Sequence, residues 1–66
     1  MINKVRLLRE EKDLTQKELG ELLNVSRQAI NAIETGKYDP SIRLAYNLAR
    51  YFEMKIEEVF QFEEEI

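Results

Sequence analysis

A bend between two capped helices is written into residues 15–35. Thr15 is followed three residues later by Glu18, the reciprocal pair of a capping box, and then by Leu19, Leu22 and Leu23. The spacing predicts a helix from about Gln16 to Leu23. Asn24 comes next, and Asn tolerates the left-handed backbone that a sharp helix end requires. Val25 is apolar, and Ser26 caps a further helix that turns Ile30 and Ile33 inward. Gly36, just past Thr35, is its stop signal. Gly20 lies inside the first of these helices, where Gly costs about 1 kcal/mol relative to Ala. A close approach by another helix backbone explains it. With Val25 plugging the gap, Leu19, Leu23, Ile30 and Ile33 form a shared core, and the pair reads as two helices joined by a short turn.

Helical spacing continues on both sides. Asn3 caps a first helix through about Lys12, with Val5 and Leu8 inward, and Asp13 breaks it. Lys37-Tyr38-Asp39-Pro40 is a loop, and Ser41 caps a fourth helix with the apolar stripe Leu44, Ala45, Leu48, Ala49 and Phe52. Ile56 to Phe60 reads as a fifth helical turn. Apolar residues at 60 and 62 alternate as a short strand would, and the sequence permits Met1-Ile2-Asn3 to pair with it.

Sixty-six residues make one small domain, which buries only about 60% of the surface its unfolded chain exposes. There is no Cys and no His, so disulfides, the usual zinc sites and Cys-His or Ser-His-Asp nucleophiles are excluded. No cofactor is called for. No apolar run approaches the ~20 residues of a membrane span. The start, Met1-Ile2-Asn3-Lys4, turns charged at once, unlike a signal peptide. The expectation is a cytoplasmic, mostly helical domain with no membrane partner and no evident small-molecule ligand.

The formal net charge of −3 argues at first against a polyanionic partner, but it is unevenly spread. Residues 1–52 carry nine basic and seven acidic groups, a net of +2, whereas residues 53–66 set Lys55 against six Glu, a net of −5. The acidity therefore belongs to a C-terminal end that keeps the protein soluble and leaves the first part free to face an anion.

The run from Thr15 to Lys37, with its T-Q-x-E-L, V-S-R-Q and I-E-x-G-K segments in order, resembles the Cro/C1-type (XRE-like) helix-turn-helix family of DNA-binding regulators. The segment-level likeness extends through Pro40. The family usually has Ala where this chain has Gly20 and Gly where it has Asn24, and often Ser or Thr in place of Ala29. The resemblance implies an all-α, five-helix, lambda-repressor-like domain over residues 1–66, with the helix-turn-helix at 16–35.

In this motif the second helix enters the major groove by its N-terminal residues. Arg27, Gln28 and Asn31 share a helix face. Arg27 suits guanine or a phosphate, Gln28 and Asn31 suit adenine edges, and Ala29 suits a thymine methyl. The family places Gln16 on a phosphate, and Ser26, Lys37, Tyr38, Ser41 and Arg43 are further phosphate candidates. Glu34, seven residues after Arg27, could border the reading face and accept from cytosine, but the resemblance implies instead that it pairs with Arg9 in a structural ion pair. Ile56, Val59, Phe60 and Phe62, within residues 53–66, either complete the monomer core or, the reading favoured here, form a two-fold dimer contact that places two recognition helices about one DNA turn apart.

The leading function is thus a dimeric, sequence-specific regulator of double-stranded DNA, a repressor before an activator. A second class keeps the fold but binds another protein, as an antitoxin or adaptor does. An enzyme is the weakest reading, because the Glu pairs lie in flanks that form no pocket.

Overall fold

The computed structural model describes residues 1–61, so Phe62 and the acidic run that follows lie outside the described residues. The order of elements is β1 (Ile2–Asn3), α1 (Val5–Glu11), α2 (Gln16–Leu23), α3 (Arg27–Glu34), α4 (Ile42–Tyr51), α5 (Ile56–Val59) and β2 (Phe60–Gln61). Short helices are marginal in water on their own, so caps and packing must hold them. Thr15 and Glu18 form the reciprocal box, and the Ser26 and Ser41 hydroxyls accept from the Ala29 and Leu44 N–H groups at 3.0 and 3.1 Å. The Thr15 backbone N–H and hydroxyl hold the Glu18 carboxyl below its ordinary pKa.

Four helix ends turn through a left-handed residue: Asp13, Asn24, Gly36 and Glu53. After α3 the Lys37 N–H reaches back to the Ala32 carbonyl and the Gly36 N–H to Ile33, which is a Schellman end. The equivalent long return bonds run from Leu14 to Arg9, from Val25 to Gly20 and from Met54 to Ala49.

Every helix contributes to one core: Val5 from α1, Leu19 from α2, Ile30 and Ile33 from α3, Ala45, Leu48 and Ala49 from α4, and Val59 from α5, with Phe52 and Phe60 beside them. Leu8, Leu23 and Leu44, expected inward, are half-buried against it. Two boundaries differ from the sequence reading. Asn3 lies in β1, one residue before the helix cap, although its Oδ1 still accepts from the Val5 N–H at 3.0 Å. The fifth helix stops at Val59, because Phe60 extends into β2 and pairs antiparallel with Asn3, as Gln61 does with Ile2.

That ribbon corrects part of the expected dimer contact. Val59 and Phe60 are 0% and 1% exposed in the single chain, so they complete its own core and present nothing to a second copy.

Gly20 faces the turn rather than a helix. A Cβ there would stand 2.6 Å from the Val25 carbonyl oxygen and 3.3 Å from the Ser26 backbone, where no flexible side chain can yield. The two halves of the motif are held from behind by Arg9. Its Nε and Nη2 donate to Glu34 at 2.7 and 3.2 Å, and its Nη1 donates to the Leu14 carbonyl at 2.7 Å. These side chains are only 12% and 2% exposed. The hydrogen bond to Glu34 raises the Arg9 pKa above its ordinary value, against the opposing effect of burial.

Two stability outcomes follow. Gly20→Ala should destabilise the fold by about 1–3 kcal/mol, as overpacking does, and so lower the thermal midpoint despite the gain in helix propensity; calorimetry showing a rise would refute the clash. Glu34→Gln removes the counter-charge of a nearly buried guanidinium, at a cost of about 3 kcal/mol or more, so Tm should fall by about 10–20 °C. An unchanged Tm would place the role of Glu34 outside the fold.

Candidate nucleic-acid interface

The first turn of α3 is set by Ser26, whose cap fixes where Arg27, Gln28 and Ala29 emerge. Ile30 and Ile33 point into the core, so the opposite face of the helix must point out. Arg27, Gln28 and Asn31 are all exposed there, and Ala29 is half-buried. Together with Gln16, the first residue of α2, the three polar side chains line one shallow hollow. Residues from two helices are thus brought to one surface. That surface bears one full positive charge and three amides, each amide able both to donate and to accept.

The backbone adds donors. The Thr15 cap takes the Glu18 N–H, and the Gln16 and Lys17 N–H groups precede any intrahelical acceptor. Helix N-termini with free N–H groups attract anions. Ser26 and Ser41 use their oxygens to accept cap bonds, which leaves each hydroxyl proton free to be donated. Lys37 and Tyr38 are exposed on the loop after α3, and their own N–H groups are both spent on the Ala32 carbonyl at 3.0 and 3.2 Å. Arg43 is exposed on the first turn of α4.

Gln16 has a second attachment that sequence reasoning missed. Its Nε2 donates to Glu34 Oε1 at 3.0 Å, which joins it to the Arg9 ion pair. No local pattern marks a bond spanning α2 and α3.

Apolar surface is left uncovered elsewhere. Ile42 and Tyr46, one turn apart on the outer side of α4, are 75% and 51% exposed. Tyr46 leads into a groove with Ala49, Met54 and Ile56 as its apolar part and Arg50, Glu53, Lys55 and Glu58 at its polar positions. Among the described residues no helix is long and apolar enough to cross a membrane.

The helix-turn-helix family profile matches residues 5–59. An uncharacterized HTH-type transcriptional regulator of Methanocaldococcus jannaschii is 49% identical over 65 residues, covering 98% of each chain. An uncharacterized HTH-type transcriptional regulator of Bacillus subtilis, YgzD, is 48% identical over 65 residues with the same coverage. The HTH-type transcriptional activator BcrR of Enterococcus faecalis is 40% identical over 61 residues, 92% of this chain but 30% of that protein. With its five helices, terminal ribbon and near full-length matches, the chain belongs to the Cro/C1-type helix-turn-helix family of DNA-binding transcriptional regulators.

Proposed function

We propose that this regulator binds a specific inverted-repeat operator as a homodimer in the cytoplasm and represses transcription by occupying it. The observation that carries the reading is the one hollow lined by half-buried Gln16 at the start of α2 and exposed Arg27, Gln28 and Asn31 on α3. Arg27 forks to guanine O6 and N7, Gln28 and Asn31 pair with adenine N6 and N7, and Ala29 meets a thymine methyl. Gln16, Ser26, Lys37, Tyr38, Ser41 and Arg43 hold the flanking phosphates and so fix register. Repression asks only for tight occupancy of the site. The activator BcrR is matched over less than a third of its length, so its role supports no activating function for this chain.

The second copy binds at the α4–α5 face. A two-fold contact must be complementary to itself. The groove's two cations, Arg50 and Lys55, and two anions, Glu53 and Glu58, satisfy that around the apolar Tyr46, Met54 and Ile56. Ile56 therefore stays in the proposed contact, joined by Ile42 and Tyr46.

Selection from a random DNA pool should return two half-sites ~34–36 Å apart, related by a two-fold axis. Affinity should fall about 10³–10⁵-fold between about 50 and 200 mM salt if about six to ten phosphates are held. Gln28→Ala and Asn31→Ala should each reduce operator binding by about 1–3 kcal/mol and leave random-sequence binding nearly unchanged. Equal losses on both DNAs would remove base readout by these residues. Salt-insensitive binding to a protein, with none to DNA, would instead favour an antitoxin or adaptor.

Tyr46→Glu should convert a dimer to a monomer in sedimentation, with helical content intact. A wild-type monomer at micromolar concentration, even with operator present, would exclude the two-fold contact.

A further inference from the structure

Glu34 closes α3 with its side chain 2% exposed, yet it does more than balance Arg9. Its Oε1 accepts from both Arg9 Nη2, at 3.2 Å, and Gln16 Nε2, at 3.0 Å. A primary amide has two ends of almost equal shape, and its neighbours decide which faces where. An ionised carboxylate only accepts. Turning the Gln16 carbonyl toward it would press two electron-rich oxygens together in a poorly solvated place. The amino end must therefore face Glu34. In a planar amide the second N–H then diverges from the first, away from the ion pair.

Gln16 also stands on a dividing wall. With Asn31 it lines both the hollow that holds Arg27 and Gln28 and a neighbouring one formed with Arg6, Arg9, Glu34 and Thr35. One side of the residue is thus tied to the ion pair and the other is open to the DNA-reading face.

We propose that Glu34, held by Arg9, is a positioning residue for DNA binding: it presets the Gln16 amide so that the free N–H is already aimed outward when a phosphate arrives. This rests on the reading of Gln16 as a phosphate contact. The hydrogen bond removes the rotamer and flip freedom of the amide before association, so less is lost on binding. It also links the α2 N-terminus, which clamps the backbone, to the helix that reads the bases. Because a phosphate contact carries no sequence information, the effect falls equally on cognate and random DNA.

The test is a double-mutant cycle in DNA affinity with the full chain at low temperature, the folded fraction of each variant being fixed by circular dichroism. The probes are the selected operator and a random duplex of equal length. Gln16→Ala should weaken both about tenfold, the loss of one hydrogen bond to a charged group. Glu34→Gln, whose amide no longer dictates an end, should weaken both several-fold when Gln16 is present and have no further effect on the Gln16→Ala protein. Equal losses from Glu34→Gln in both backgrounds would overturn the proposal, because Glu34 would then act through the fold alone. A wild-type protein that binds neither DNA would overturn the functional reading and this inference with it, whereas DNA binding with an additive cycle overturns only this inference.

If Glu34→Gln does not fold, the unmodified free protein decides. The Gln16 side-chain amide should show high nitrogen-15 order parameters and slowed proton exchange in NMR, and an amide as mobile as that of exposed Gln61 would overturn the assignment.

Discussion

The Arg9–Glu34 pair is the contact on which the arrangement of the first three helices depends. It joins the last turn of α1 to the last residue of α3, and Arg9 simultaneously holds the Leu14 carbonyl in the turn before α2. Ion pairs removed from water are weak evidence for net stability, because desolvation offsets most of the attraction. Their value is directional. An apolar contact tolerates sliding, whereas two parallel N–H···O bonds define both a distance and an angle. Where the described residues give the core ten buried side chains, that definition matters for a helix only eight residues long.

The left-handed helix ends do similar work along the backbone. Each lets the chain reverse within a few residues and spends otherwise orphaned carbonyls on the return bonds. Gly36 adopts this conformation without strain, and Asn24 does so at low cost. Asp13, at φ 56°, shares the tolerance of Asn, whereas Glu53 holds φ of 58° with an ordinary side chain. The strain at Glu53, of order 1 kcal/mol, is sustained by the packing of Met54, the residue that follows, against the core.

What could be read in the sequence divides along the same line. The Thr15, Ser26 and Ser41 caps, the Asn24 bend and the Gly36 stop were readable because each needs a particular chemistry at a fixed offset from an apolar run. The left-handed turn at Glu53 carries no such mark, since Glu has no bias toward it. For Val59 and Phe60 the sequence leaves core and dimer contact both open, for a related reason. Apolar spacing says that a face is covered, not by which surface, and the answer lay in a ribbon that pairs the two ends of the described chain. Arg27, Gln28 and Asn31 could be placed on one face from helical periodicity alone. The tie between Gln16 and Glu34 could not, because it depends on how α2 and α3 are packed.

Those two kinds of information meet in α3. One face of the helix supplies Ile30 and Ile33 to the core, the other offers Arg27, Gln28 and Asn31 outward, and its end is pinned by Arg9. A helix anchored along its back and at its C-terminal end has little backbone freedom left to lose on association, so any partner met by its first turns, DNA in the proposed function, is matched by side-chain fit more than by ordering the backbone. The flexible groups are the Arg27, Gln28 and Asn31 side chains themselves, which no hydrogen bond among the described residues restrains. Gln16 is the polar side chain on that face that the fold already holds. Under the proposed function, specificity falls to side chains free to adapt to a base edge, while the proposed phosphate contact, Gln16, is already tied to the Glu34 carboxylate.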